Sequence, residues 1–459
     1  MPVEKNVGDR VMTASINKNG SFRFRADKVG NETALAKIIE MVRDAGATKA
    51  PIAKLADKVS GVFVPIVMSL ALLAFIFWLI MGRSFDFALS IGISVLVISC
   101  PCALGLATPV AITVSVGRLA ERGILVKSAE ALEVLHETKV VVLDKTGTIT
   151  EGHPSVTDII AVDKNKTMKI AASLEAGSEH PLAEAIRGKA ENMDIRPESV
   201  ANFKAVPGRG IEGDLGGKHC VGGNLRFMEE QGIKLPELGK TLDDLAKAGK
   251  TPMIFAESGE YSGIIAVADT IKPTSAASVK RMRDLGVDVN MLTGDNKLTA
   301  NAIAAQAGIT NVTAEVLPGD KERVVASLQN EVENDGKNGE KHKIVTFVGD
   351  GINDSPALTR ADVGIAIGSG ADIAIDSADI VLMKSDLGDV PTAIEFSRKT
   401  IRNIKQNLFW AFFYNSLGIP VAMGVLVPFG ITLSPMIGAA AMSLSSLFVV
   451  TNALRLQRA

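Results

Sequence analysis

The 459-residue sequence predicts a membrane protein in which α-helical spans accompany an α/β domain built on a Rossmann-type parallel sheet. Four apolar stretches raise the mean hydropathy to +0.24. Between the second and third stretches, strand-like runs alternate with helical ones. The net charge of −2 argues against nucleic-acid binding. The three cysteines are too few for a disulfide framework, and this small number fits a reducing cytosolic context.

The apolar stretches form two hairpins with short connectors, a pattern that favours membrane spans over buried core helices. The first hairpin comprises residues 62–81 and 87–116, with Pro101 and Pro109 inside the second stretch, and the other comprises residues 408–427 and 435–450. The connectors hold a single basic residue, Arg83. The basic residues at the outer ends are Lys54, Lys58, Arg118, Arg122, Lys127, Arg398, Lys399, Arg402, Lys405, Arg455 and Arg458. This asymmetry predicts a multi-pass protein of the cell membrane whose termini and middle region are cytosolic.

The middle region is predicted to contain two domains. Its parallel sheet is indicated by apolar runs at residues 140–143, 287–292, 344–348 and 363–367. Residues 151–268 have a different sequence pattern, and their glycine-rich segment at 206–213 is typical of turns in an antiparallel sheet. We therefore expect a smaller α+β domain inserted into the first. The polar segment 331–343 predicts a mobile surface loop.

Four separated segments of this region suggest phosphoryl transfer. They are Asp144-Lys145-Thr146-Gly147-Thr148, Thr293-Gly294-Asp295, Lys321, and Gly349-Asp350-Gly351-Ile352-Asn353-Asp354. Three of them follow strands, so parallel pairing would bring them to one edge of the sheet. Phosphoryl transfer needs charge neutralisation and in-line positioning. We expect Asp144 to attack phosphorus, Asp350 to hold Mg²⁺, and Thr293 and Lys321 to bind phosphoryl oxygens.

Potential metal ligands lie within the apolar stretches. Cys100-Pro101-Cys102 interrupts the second stretch, where Pro101 removes a helix hydrogen bond. Thiolates favour Cu(I), Zn²⁺ and related soft ions. The third stretch contains Tyr414-Asn415 and the fourth contains Met442-Ser443-Leu444-Ser445-Ser446, and neither contains a carboxylate. A neutral thioether suits a monovalent soft ion, whereas a divalent ion would favour a carboxylate at such depth.

Taken together, these motifs resemble the P-type ATPases, whose phosphorylation domain is haloacid-dehalogenase-like. The resemblance covers essentially the whole chain. It implies ATP-driven transport through an aspartyl phosphate on Asp144, with ATP and Mg²⁺ as cofactors. The resemblance implies that Asp144 and Asp350 coordinate Mg²⁺. It implies catalytic roles for Asp144, Lys145, Thr146, Thr293, Lys321 and Asp354.

The inserted domain also matches the family. Its segment Ser178-Glu179-His180-Pro181-Leu182 is similar to one in heavy-metal P-type ATPases, where the histidine packs on adenine. Glycines let the backbone approach a ligand, and a glutamate can accept from an amino group. The resemblance implies a nucleotide site formed by Glu175, His180, Gly208, Gly210, Gly213 and Asn224.

Within the heavy-metal branch, the sequence resembles the copper(I) exporters. Zinc and cadmium pumps typically carry a lysine in the third of these spans and an aspartate in the fourth. The resemblance implies Cu(I) ligands at Cys100, Cys102 and Met442 and a path lined by Tyr414, Asn415 and Ser446, with Asp57 at the cytosolic entry. It also implies a copper ion, a lipid bilayer and a cytosolic copper chaperone as partners.

The resemblance divides the chain into five segments. They are an actuator-domain remnant at 1–45, two spans at 46–120, a phosphorylation domain at 121–150 and 269–400, a nucleotide-binding domain at 151–268, and two spans at 401–456. Strands at 11–29 and a helix at 32–42 are expected in the remnant. In relatives a Thr-Gly-Glu loop that positions the hydrolytic water precedes this start. We therefore expect the isolated chain to bind ATP and phosphorylate Asp144, but to turn over poorly and not to transport.

Other functions are compatible with some of these motifs. A zinc or cadmium P-type ATPase would have the same enzymatic activity but would transport a different ion. A membrane-anchored phosphatase of the haloacid-dehalogenase type usually carries a second aspartate two residues after its nucleophile, where this chain has Thr146. A non-catalytic metal-binding membrane protein would not need the phosphoryl-transfer residues.

Overall fold

The computed structural model describes residues 50–100, 102–178, 181–206, 209–295, 297–334, 340–350, 354–368 and 377–458, with a few isolated positions before residue 50. The elements expected at 11–29 and 32–42 fall largely outside these residues. The chain divides into two compact units. The first comprises Met1–Glu137, Asp379–Met383 and Thr392–Ala459, and the second comprises Thr138–Ala378 and Lys384–Pro391.

Helices form most of the first unit and cover the sheets of the second. In chain order they are α1 (Pro51–Ile80), α2 (Phe85–Ile98), α3 (Cys102–Glu121), α4 (Ala129–Leu135), α5 (Lys164–Glu175), α6 (Pro181–Asn192), α7 (Leu225–Glu230), α8 (Gly239–Lys247), α9 (Ser275–Asp284), α10 (Lys297–Ala307), α11 (Lys321–Gln329), α12 (Ser355–Arg360), α13 (Asp389–Ala422) and α14 (Pro435–Leu454).

The strands are concentrated in the second unit. In chain order they are β1 (Ile124–Val126), β2 (Val140–Asp144), β3 (Thr150–Ala161), β4 (Val200–Val206), β5 (Gly210–Leu215), β6 (Lys218–Gly223), β7 (Thr251–Glu257), β8 (Glu260–Ile271), β9 (Asp288–Leu292), β10 (Asn311–Thr313), β11 (Val332–Asn334), β12 (Glu340–His342), β13 (Val345–Gly349), β14 (Val363–Ile367) and β15 (Ile380–Leu382).

Among the described helices of the first unit, two are long and apolar enough to cross a membrane, namely Pro51–Ile80 and Pro435–Arg458. The predicted second span is not continuous, because α2 ends at Ile98 and α3 begins at Cys102. Pro109 lies inside α3 without ending it. The stretch 408–427 overlaps the end of the longer helix α13, which stops at Ala422. The expected interruption of the second span at residues 100–102 therefore coincides with the gap between α2 and α3, whereas the helix continues past Pro109.

A closed ring of buried amides joins α13 to α14. Asn403 Nδ2 donates to the Asn452 carbonyl at 2.9 Å, Asn452 Nδ2 donates to Asn407 Oδ1 at 2.8 Å, and Asn407 Nδ2 donates to Asn403 Oδ1 at 3.1 Å. Each of the three residues donates and accepts once within the ring, Asn452 accepting through its backbone carbonyl, so these buried polar groups are paired. The ring thus specifies the register of the two helices.

The second unit contains the predicted parallel sheet. Its strands lie in the order β14, β13, β2, β9, β10, and every neighbouring pair is parallel. The four predicted strands are confirmed to within one residue at each end. They are fully or largely buried, which explains their continuous β-branched runs. All carboxyl ends therefore meet at one edge, where the segments of the predicted site follow.

An antiparallel sheet of six strands is inserted after β2, in the order β3, β8, β7, β6, β5, β4. The strands that enter and leave it pair directly, with Thr150 opposite Ile271. At the glycine-rich segment, β4 ends at Val206 and β5 begins at Gly210, and these two strands pair antiparallel, as expected. The surface-loop prediction for 331–343 is wrong, because β11 and β12 pair antiparallel, with Val332 opposite His342.

Candidate active site

Three carboxylates lie together at the carboxyl edge of the parallel sheet. Asp144 is the last residue of β2, Asp350 directly follows β13, and Asp354 directly precedes α12. One carboxylate oxygen from each lies within 4.8 Å of the others. Asp144 and Asp354 are buried, with exposed fractions of 6% and 2%. The predicted convergence of these segments is therefore what the structure shows.

Lys321, at the start of α11, provides a cation for this cluster. Its Nζ donates to Asp144 Oδ1 at 2.6 Å and to Asp354 Oδ1 at 2.7 Å. Burial alone would lower the pKa of Lys321, but the two carboxylates outweigh it and raise the pKa. The ammonium therefore stays charged and fixes the orientation of both carboxylates.

The charge of Lys321 does not balance three carboxylates. Burial, with a smaller contribution from Asp354, raises the pKa of Asp144 to about 7, although Lys321 opposes both. The pKa of Asp350 is also raised, first by burial and then by Asp354. Oxygen ligands and excess negative charge are what Mg²⁺ requires, so the residues present fit this ion. Asp144 and Asp350 are the two ligands that the sequence predicts, and Asp354 lies within the same distance of them.

The turn after Asp144 depends on a glycine. Gly147 has φ +71°, a conformation that side chains rarely adopt. A Cβ built on it would lie 1.7 Å from Asp350 Oδ2. The missing side chain therefore lets the turn approach a carboxylate of the cluster.

Lys145 and Thr293 also reach this edge. Lys145 Nζ donates to Asp295 Oδ2 at 2.7 Å, and Asp295 N donates to Thr293 Oγ1 at 3.1 Å. Thr293 is buried and follows Leu292, which pairs with Asp144 across the sheet. Thr146 is the exposed member of the turn. The arrangement therefore links Lys145 and Thr293 through Asp295 at the same edge of the sheet as Asp144.

Sequence reasoning missed two features of this edge. The Thr148 hydroxyl is buried without a hydrogen-bond partner among the described residues, which marks it as a group available to a ligand. Asp269, at the end of the inserted sheet, accepts from Gly152 N at 2.9 Å and from the Thr150 hydroxyl. Thr148 stands in the motif already identified, but nothing in the local sequence indicates the partner of Asp269.

The predicted nucleotide residues lie in the inserted sheet and its helices. Glu175 is buried at the end of α5, and His180 and Gly208 are outside the described residues. A Cβ on Gly210 would meet the Gly222 carbonyl at 2.2 Å, and one on Gly213 would meet Val200 Cγ1 at 2.4 Å. These two glycines are therefore required by close strand packing, independently of any ligand.

Asn224 has a structural role of its own. Its side chain accepts from Phe227 N at 2.9 Å and caps α7. Its backbone N donates to the Arg209 carbonyl at 3.0 Å, next to Gly210. The end of β6, the start of β5 and the cap of α7 thus form one local structure.

The residues predicted to bind metal lie on α1, α13 and α14 and at the α2–α3 break. Cys100 stands in the break, and Cys102 begins α3. Tyr414 Oη and Asn415 Oδ1 on α13 are buried without a partner among the residues that the structure describes. Met442 and Ser446 are half-buried on α14, and the structure does not describe the side chains of Asp57 and Cys102. Unpaired polar atoms at buried positions are consistent with a ligand site.

A buried strand-tip aspartate with a lysine and two further carboxylates defines a haloacid-dehalogenase-like phosphoryl-transfer domain. A sequence profile of the haloacid dehalogenase-like hydrolases matches residues 138–362, and one of the P-type ATPase actuator domain matches residues 1–43. A solved zinc-transporting PIB-type ATPase in an E2·Pi state shares 32% identity and a TM-score of 0.77, over 93% of this chain and 68% of its own. The chain belongs to the P-type ATPases, which confirms the family that the motifs indicated.

Two curated relatives are similar over the whole chain. A copper-exporting P-type ATPase of Staphylococcus saprophyticus is 48% identical over 461 residues, and one of Staphylococcus aureus is 50% identical over 462 residues. The alignments cover 100% of this chain, which spans 56% and 55% of the lengths of these relatives.

Proposed function

We propose that ATP phosphorylates Asp144 in this chain, and that in the whole pump this chemistry drives movement of Cu(I) out of the cytosol. The cluster of Asp144, Asp350, Asp354 and Lys321 is the observation that supports the chemistry. An Asp144 carboxylate oxygen attacks the γ-phosphorus of ATP, and an oxygen–phosphorus bond forms. The bond from the γ-phosphorus to the bridging oxygen breaks, and ADP leaves with its electron pair.

The surrounding side chains prepare this step. Lys321 neutralises charge and holds Asp144 through a contact that Asp354 also shares. Lys145, Thr146 and Thr293 bind the transferring phosphoryl oxygens. Mg²⁺ on Asp144 and Asp350, when bound, supplies charge neutralisation for the phosphates. Because Thr146 replaces the usual general acid of a phosphatase, the phosphoenzyme persists, which makes the phosphatase alternative weaker.

ATP is proposed to bind to the inserted domain at 151–268, through Glu175, His180, Gly208, Gly210, Gly213 and Asn224. The phosphorylation domain comprises 121–150 and 269–400, the actuator-domain remnant comprises 1–45, and the two hairpins of spans comprise 46–120 and 401–456. The protein is then a multi-pass protein of the cell membrane with its catalytic domains in the cytosol. A cytosolic copper chaperone is its proposed donor.

Copper is favoured over zinc by two observations. The apolar stretches 408–427 and 435–450 contain Tyr414, Asn415, Met442 and Ser446 but no carboxylate, which suits a monovalent soft ion. The relatives at 48% and 50% identity are named as copper exporters, whereas the zinc-transporting structure is 32% identical. Cys100 and Cys102 complete the proposed ligand set, and Asp57 is the proposed entry carboxylate.

The phosphoryl-transfer step is tested by labelling. The chain, purified in detergent, is mixed with Mg²⁺ and ATP carrying a radioactive γ-phosphate and then quenched in acid. We expect label on the protein that survives acid and is removed by hydroxylamine, because an acyl phosphate has this reactivity. A chain that binds ATP but never carries the label would contradict the proposal.

The choice of copper predicts a specific role for Met442. Replacing Met442 by alanine removes a thioether ligand, so we expect Cu(I) affinity under reducing conditions to fall by about 10-fold or more. Competition with a chromophoric Cu(I) chelator measures this. Met436→Ala is the matched control, since Met436 lies on the same helix and is 82% exposed. Equal Cu(I) affinities for both variants would remove Met442 from the ligand set, and tight Zn²⁺ binding without Cu(I) binding would favour the zinc alternative.

A further inference from the structure

Lys272 is a buried lysine that the proposed chemistry does not use. It directly follows β8, at the point where the inserted sheet returns to the parallel sheet. Its exposed fraction is 3%, and lysines are almost never this buried without partners. Its position therefore calls for a specific role for the ammonium group.

The Lys272 side chain contacts the turn that follows the phosphorylation aspartate. Its Nζ donates to the Gly147 carbonyl and, at 2.9 Å, to Ser385 Oγ. Its backbone N donates to the Ile149 carbonyl at 3.0 Å, and Ser275 Oγ donates to the same carbonyl at 2.8 Å. Lys272 thus holds both the middle and the end of the turn 145–149.

The contact with Lys272 restrains the backbone conformation of Gly147, which as a glycine is intrinsically flexible. Glycine samples left-handed and right-handed conformations about equally, and Gly147 must stay at φ +71°. Because the peptide group is planar and trans, a Gly147 carbonyl that points at Lys272 turns the Thr148 N–H in the opposite direction. The ammonium therefore sets the orientation of a whole peptide group within the motif that follows Asp144.

The α-carbon of the same glycine lies close to the cluster of carboxylates. Its approach to Asp350 leaves no room for even one methyl group, since a Cβ would lie 1.7 Å from Asp350 Oδ2. A change in the backbone dihedral angles of Gly147 would therefore alter this approach as well as the direction of the Thr148 N–H. Lys272 acts on both through its hydrogen bond to the Gly147 carbonyl.

We propose that Lys272 is a positioning residue for phosphoryl transfer, which holds the Gly147–Thr148 peptide in the orientation needed to accept the phosphoryl group on Asp144. The inference rests on the proposed function, namely that Asp144 is the acceptor. The inference goes beyond the proposed function because it gives a residue outside the four motif segments a defined role in the reaction. Ser385 serves as the second hydrogen-bond partner that keeps the ammonium in place.

The experiment compares the rate of phosphoenzyme formation, the ATP dissociation constant and the melting temperature in variants of the full chain. In Lys272→Met we expect phosphorylation to slow by about 100-fold, because small displacements of reacting groups have effects of this size. ATP affinity should remain within about twofold, since the nucleotide is bound elsewhere in the inserted domain. Lys272→Arg keeps a donor and should restore most of the rate.

Lys250→Met is the matched control. Lys250 is a half-buried lysine of the same unit whose Nζ donates to Asp158 Oδ2 at 2.6 Å. Its replacement should leave the phosphorylation rate unchanged, which excludes a general effect of removing a lysine.

Three results would overturn the inference. One is a wild-type phosphorylation rate in Lys272→Met, and another is an equal loss of rate, ATP affinity and melting temperature in the Met and Arg variants, which indicates a purely structural role. The third result applies if Lys272→Met does not fold. In that case Lys272→Arg should be phosphorylated about 10-fold faster than Lys272→Gln, and equal phosphorylation rates in these two variants would overturn the inference. If the wild-type chain binds ATP but carries no label, the proposed function itself fails, which these three results do not imply.

Discussion

Replacement of Asp144 by asparagine should abolish the acid-stable phosphoenzyme and at the same time raise the melting temperature of the metal-free chain. The label is lost because an amide oxygen is a poor nucleophile toward phosphorus, so we expect a decrease of at least about 1,000-fold. Stability rises because the asparagine carries no charge next to Asp350 and Asp354, with which the Asp144 carboxylate shares its site. One substitution therefore separates function from stability.

The stability effect should depend on pH with a defined sign. The pKa of Asp144 in the folded chain is raised to about 7 from its ordinary value of 3.8. Its protonated form therefore contributes stability that is fully present below the unfolded pKa and is lost as the pH rises through about 7. In EDTA, the melting temperature of Asp144→Asn should exceed that of the wild type more at pH 8 than at pH 5.

Asp163→Asn provides the control for this comparison. Asp163 caps α5 by accepting from Lys166 N at 2.9 Å, and asparagine caps helices equally well. We expect it to retain both the label and the wild-type melting temperature. A labelled Asp144→Asn chain would show that another residue accepts the phosphoryl group, and a lower melting temperature would show that charge repulsion does not dominate at this site.

Much of this edge of the sheet could be predicted because its determinants are local. The runs that form β2, β9, β13 and β14 are apolar and β-branched, and each is followed by a polar segment. Parallel pairing then brings Asp144 and Asp350 together, since the carboxyl ends of all strands lie at the same edge. The family resemblance supplied the roles of these residues, which pattern alone does not contain.

Other features depend on contacts between residues far apart in sequence. Lys145 pairs with Asp295, 150 residues away, and Gly147 accepts from Lys272, 125 residues away, and no periodic pattern encodes either contact. The glycines at 210 and 213 were interpreted as an approach to a ligand, but strand packing also requires them. Residues 332–334 and 340–342 of the polar segment 331–343 form paired strands although the composition is typical of a loop, because backbone pairing does not require apolar side chains.

Lys321 should have the opposite effect on stability from Asp144. Replacing Lys321 by methionine removes the cation that Asp144 and Asp354 share and leaves both carboxylates buried without it. Removing one partner of a buried ion pair typically costs about 3–5 kcal/mol in the free energy of unfolding. We expect a loss of this size in EDTA, and a decrease in phosphorylation of about 100-fold or more, because the charge that orients the nucleophile is gone.

The control for Lys321 is a lysine in a surface ion pair. Lys169 lies 2.5 Å from Glu198, and both side chains are about half exposed. Lys169→Met should therefore change the free energy of unfolding by no more than about 1 kcal/mol and leave phosphorylation intact. If Lys321→Met were no less stable than Lys169→Met, the central ion pair would contribute nothing to folding.

Combining the two central substitutions tests whether Lys321 acts through Asp144. In the double variant Lys321→Met with Asp144→Asn, only Asp354 of the two lysine partners keeps its charge, so some of the stability lost in Lys321→Met should return. Neighbouring groups that share a partner are expected to be non-additive by about 0.5–3 kcal/mol. Phosphorylation should stay absent, because the nucleophile is missing. Strictly additive free energies of unfolding would contradict the shared ion pair. Recovered stability without recovered labelling would show that the same contact serves folding and catalysis by different means, because the lysine offsets charge in the folded chain while the carboxylate that it holds performs the attack.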